Sequence, residues 1–83
     1  LMGVRVRIAY NVIFFNNNAR DKLLTYRVQF KDKDGFVIGG SECSVAALVA
    51  NAGREIGENI EIDVDSAELA NSITKATVDI NCI

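Results

Sequence analysis

The chain contains no histidine and no proline, and it has only two cysteines in 83 residues. Without histidine it lacks the side chain that most often moves protons or binds metals near neutral pH. Without proline, strand ends and turns fall to glycine, asparagine and aspartate. Two cysteines are too few for a zinc site of the usual four-ligand kind. No apolar run is long enough to span a bilayer as a helix, so membrane insertion is not expected. Cys43 and Cys82 leave two readings open: a disulfide closing a loop of ~40 residues, or two buried thiols acting as small hydrophobes.

What is present fits one small folded domain over residues 1–83. Hydrophobic residues make up 49% and charged residues 24% of the chain, which argues against disorder. The clearest local signal lies at Leu24, Tyr26, Val28 and Phe30, which alternate with Thr25, Arg27, Gln29 and Lys31. Period-2 alternation makes one face apolar and the other polar, the mark of a half-buried strand. Asp32-Lys33-Asp34-Gly35 ends that strand and Phe36-Val37-Ile38 opens the next, which reads as a hairpin.

The same alternation predicts a strand over residues 4–15, with Val4, Val6, Ile8, Tyr10, Val12 and Phe14 on one face. Ile13 and Phe15 make the second face apolar too, which suggests a bend or bulge near Tyr10–Asn11. Asn16 to Asp21 is a turn, and residues 22–31 are expected to return antiparallel to the first strand. Between residues 36 and 47, Val37, Cys43, Val45 and Ala47 can line a strand face, with a bulge at Gly39-Gly40. Residues 41–52 are alanine-rich and also suit a short helix ending at Gly53; their place among strands favours extension. Ile60, Ile62 and Val64 resume the alternation, Ser66 can cap one helical turn, and residues 74–83 close the chain with Ala76, Val78, Ile80 and Cys82 inward. Short strands joined by Asn, Asp and Gly turns indicate an all-β sandwich of two antiparallel sheets with one short helical turn, a barrel being the alternative.

The order of these features resembles the small immunoglobulin-like domains called FxLYD. Val28-Gln29-Phe30-Lys31-Asp32 stands at the signature position, followed by Lys33-Asp34-Gly35. Lys31 replaces the tyrosine, and the aspartate and trailing glycine match literally. The family's leucine and Pro-Gly-Glu turn corresponds to Leu48 followed by Ala52-Gly53-Arg54-Glu55, with the proline lost and residues inserted. The resemblance spans Ile8 to Cys82. It implies an immunoglobulin-like sandwich that serves as a module of envelope or secreted proteins, without catalytic activity; a cytoplasmic location stays open.

Catalytic chemistry finds little support. Asp32-Lys33-Asp34-Gly35 resembles part of a calcium loop, but the twelfth position holds Cys43 instead of glutamate. Glu58 and Glu61 offer a carboxylate pair, yet no cleft signal accompanies them. Neither cysteine has a histidine to activate it. No cofactor, no metal and no enzymatic activity are expected.

Charge is unevenly distributed. Residues 1–33 carry seven basic and two acidic side chains, whereas residues 34–83 carry two basic and nine acidic ones, for a net charge of −2. If the first two strands pair, Arg5, Arg7, Arg27, Lys31 and Lys33 share a basic strip, and Glu61, Asp63, Asp65 and Asp79 form an acidic one. Such strips form cross-strand ion pairs of small net worth, or they orient a protein partner or another copy. Nucleic acid is not expected on the basic strip, since the chain is acidic overall and Tyr10, Tyr26 and Phe30 point inward. The sequence therefore favours a non-catalytic protein-interaction or structural module, associating through a sheet face or an edge strand such as Phe36–Ser44. The alternatives are a small barrel holding an apolar molecule and an accessory domain of an enzyme.

Overall fold

Alternating apolar residues need a second apolar layer to exclude water, and the computed structural model, which describes residues 3–82, supplies it with two antiparallel sheets. The elements in chain order are β1 (Val4–Phe15), β2 (Lys22–Lys31), β3 (Val37–Gly40), β4 (Ser44–Leu48), β5 (Gly53–Val64), α1 (Ala67–Asn71) and β6 (Lys75–Ile80). One sheet is a ribbon of β1 and β5; in the other, β2 is central, with β3 and β4 successively along one side and β6 along the other. The protein is thus an all-β sandwich with one short helix, and its strands do not close into a barrel. The body is elongated, 52 × 22 × 21 Å.

The core forms where the ribbon crosses β2 and β4. Val12 and Phe14 of β1 meet Tyr26, Val28 and Phe30 of β2 and Ala46 and Leu48 of β4, all nearly without exposure. Edge-to-face aromatic pairs join the layers: Tyr10 to Phe30 with ring centres 5.7 Å apart, and Phe14 to Tyr26 at 5.1 Å. At the other end of the ribbon, Ile62 and Val64 are buried; β3 approaches Ile62 through Gly39, and α1 packs on β1 and β5. Ser66 caps α1 as its spacing predicted, its hydroxyl accepting from the Leu69 amide at 3.1 Å.

Several local expectations are corrected. β1 does not pair with β2; it runs beside β5 in unbroken register from Val4 opposite Val64 to Phe15 opposite Gly53. No bulge interrupts it at Tyr10–Asn11, and the apolar Ile13 and Phe15 stand on the exposed face. The irregularity expected at Gly39-Gly40 falls at Ile38, where Phe30 pairs with Gly39 but Lys31 with Val37. In β4 the inward residues are Ala46 and Leu48, because the register sets Ala46 beside Leu24; Val45 and Ala47 face out, and Val37 of β3 is exposed as well. Residues 44–48 are extended, and Gly53 begins a strand.

β6 departs in a more informative way. Ala76, Val78 and Ile80 lie opposite Phe30, Val28 and Tyr26, so they share the inner face as expected. Yet Val78 is 41% and Ile80 55% exposed, while Val28 and Tyr26 are 2% exposed. The facing ribbon has two strands, which cover β2 and β4 and leave β6 only partly covered.

Candidate functional site

The sandwich divides the predicted charged strips between its two sheets. On the outer face of the ribbon, Arg5 lies 3.2 Å from Asp63 and 3.6 Å from Glu61, and Arg7 lies 3.0 Å from Glu61. The Asp63 hydrogen bond and the charges of Asp63 and Glu61 raise the Arg5 pKa. On the other sheet, Arg27 meets Asp79 at 3.1 Å. Lys31 lies opposite Lys75, whose ammonium donates to the Lys33 carbonyl at 3.0 Å, and Asp65 follows the end of β5. Neither strip is continuous. Four of the candidate bases and acids on the ribbon neutralise one another, and exposed pairs of this kind contribute little stability.

Other sequence candidates resolve in structural roles. Glu58 and Glu61 lie on opposite faces of β5, so they form no acid–base pair. The Asp32 carboxylate accepts from the amides of Asp34 and Phe36, both at 2.9 Å, and Gly35 takes φ +88° to complete that turn. Among the described residues no group of three or more His, Cys, Asp or Glu could hold a metal ion. Cys43 and Cys82 form a disulfide, with Cα atoms 6.0 Å apart, tying the chain ahead of β4 to the chain beyond β6.

Two polar features escaped the sequence reading. The inward Glu58 accepts hydrogen bonds from Tyr26 at 2.6 Å and Tyr10 at 3.0 Å. Burial, then the Glu58 hydrogen bond and charge, push the Tyr26 phenol up to about 12; burial also raises Tyr10. Inward parity placed both tyrosines, but nothing local marked Glu58 as their acceptor. Asn16, read as a turn residue, is 3% exposed and donates to the carbonyls of Arg20 (2.9 Å), Leu48 and Val49 (both 3.3 Å) while accepting from the Asn18 amide.

Several large apolar side chains remain on the surface. Ile13 and Phe15 on the ribbon, and Leu23, Val45 and Val49 around the second sheet, are each more than 60% exposed. The inner side of β6 adds Val78 and Ile80. The depressions are open; one of about 460 Å³ is lined by Gly3, Arg5, Asp63, Val64 and Asp65 at the ribbon's end. No protein-family model, curated protein or solved structure matches the chain. No helix among the described residues is long and apolar enough to cross a membrane.

Proposed function

We propose that this chain is a non-catalytic protein-interaction module within a larger envelope or secreted assembly. The observation that carries the proposal is the apolar inner side of β6, where Val78 and Ile80 continue the core face beyond the reach of the facing ribbon. An apolar strip beside an open strand edge suits a protein partner better than a small molecule, because backbone pairing and side-chain burial act together there.

Placement outside the cytoplasm draws support from the Cys43–Cys82 bond, since disulfides persist in oxidising compartments. The FxLYD-like order of strands and turns points the same way. The edge suggested by the sequence, Phe36–Ser44, suits pairing less well. β3 has four residues and an irregular register, and at β4 the Arg54 guanidinium occupies the Ala47 carbonyl at 2.8 Å. We therefore assign the interaction to β6.

Size-exclusion chromatography with light scattering tests the proposal, on protein purified from cells that produce it and across salt concentrations. A complex heavier than 9.1 kDa that survives purification is expected. A 9.1 kDa particle at every salt and protein concentration, with no companion, would contradict it.

A further inference from the structure

We infer that two copies of this chain associate by antiparallel pairing of β6 with β6, centred on Val78. This rests on the interaction-module reading above and names its partner. The backbone provides the first argument. The Asn81 amide donates to the Thr25 carbonyl at 2.8 Å, in step with the β2–β6 register, so residues 75, 77, 79 and 81 direct their amides and carbonyls toward β2. Ala76, Val78 and Ile80 consequently turn theirs to the free edge. The residues with exposed apolar side chains on the inner face are therefore the ones with backbone groups free to bond a new strand.

Self-complementarity provides the second argument. Antiparallel pairing about Val78 places Val78 opposite Val78 and Ala76 opposite Ile80, a small residue beside a large one. Lys75 falls opposite Asn81, and Thr77 opposite Asp79, so no like charges face each other. The other long edges are more heavily charged: β1 carries Arg5 and Arg7, and β5 carries Glu55, Glu58, Glu61 and Asp63. The contact is isologous, so it closes as a dimer and does not propagate into a filament.

Amide hydrogen exchange by NMR, with light scattering, tests this on the full chain between about 20 μM and about 1 mM, the upper range reaching weak association. At high concentration the amides of Ala76, Val78 and Ile80 should slow at least several-fold, those of Thr77 and Asp79 should change little, and the mass should rise toward twice 9.1 kDa. Val78→Asp should abolish both effects while keeping a dispersed native spectrum, and Ile80→Asp serves the same purpose if the first variant fails to fold. Val45→Asp, on the outer face of the other edge, should leave the dimer intact. A dimer whose protection lies elsewhere, or one that persists in folded Val78→Asp or Ile80→Asp, overturns the inference. A 9.1 kDa chain that instead binds a different protein overturns it as well but leaves the module reading standing, whereas a monomer without any partner defeats both.

Discussion

Asn16 holds one end of the sandwich by hydrogen bonds that no apolar residue could make. Its side-chain amide nitrogen reaches three carbonyls across the β1–β2 loop and the end of β4. Removing the side chain leaves buried acceptors without donors, each worth about 1–3 kcal/mol. Asn16→Ala should therefore lower the unfolding free energy by about 2–3 kcal/mol in urea titrations, with Asn16→Asp at least as damaging because it turns a carboxylate toward those carbonyls. Tyr26 gives a pH signature. Its folded pKa, about 12, lies above the unfolded value of about 10. The neutral phenol is favoured in the fold, so its contribution is complete below pH 10 and is lost as pH rises toward 12. The shift corresponds to about 2–3 kcal/mol. Stability curves from pH 9 to 12 should fall accordingly, and Tyr26→Phe should flatten them without removing the smaller dependence from Tyr10. An equal slope in the variant would contradict this role for Tyr26.

Among the elements, faces were more legible than partners. Alternation identified the inner residues of β1, β2 and β5, because each has polar residues between apolar ones. It failed in β4, where Val45, Ala46, Ala47 and Leu48 are all apolar and only the pairing with Leu24 decides the parity. It also missed the β1–β5 pairing, since a strand alternates identically whichever neighbour it has, and the two segments lie about 50 residues apart, beyond any turn signal. The basic strip is divided for the same reason: it rests on a β1–β2 pairing, whereas β1 lies beside β5. The glycines of β3 mark a close approach instead of a bulge. A Cβ on Gly40 would stand 2.5 Å from the Val28 carbonyl oxygen, whereas one on Gly39 would meet the end of the Ile62 side chain at 2.8 Å. Gly40→Ala should destabilise by about 1–3 kcal/mol and more than Gly39→Ala, because a flexible side chain yields more easily than backbone. Thermal denaturation of the two variants side by side checks that order.

At the scale of the molecule, an 83-residue chain has a modest core, and a covalent tie matters correspondingly. The Cys43–Cys82 bond spans 39 residues and joins the chain segments on either side of β2. In the chain-entropy model such a loop is worth about 4 kcal/mol. Replacing both cysteines by alanine should lower stability by about 2–5 kcal/mol, seen as an earlier midpoint in guanidinium; an unchanged midpoint would mean that the bond constrains nothing. The two-layer architecture itself was legible from alternation, but the coverage of each strand was not. Inward parity says which way Val78 points and cannot say whether another strand lies above it.

The central claim is that β6 belongs to the sheet yet lies outside the sandwich's cover, with one row of backbone groups free. Amide exchange along β6 in dilute, monomeric protein tests it most directly. Alternation is expected, with Thr77 and Asp79 protected by β2 and Ala76, Val78 and Ile80 exchanging much faster. Uniform protection from Lys75 to Ile80 under those conditions would contradict it.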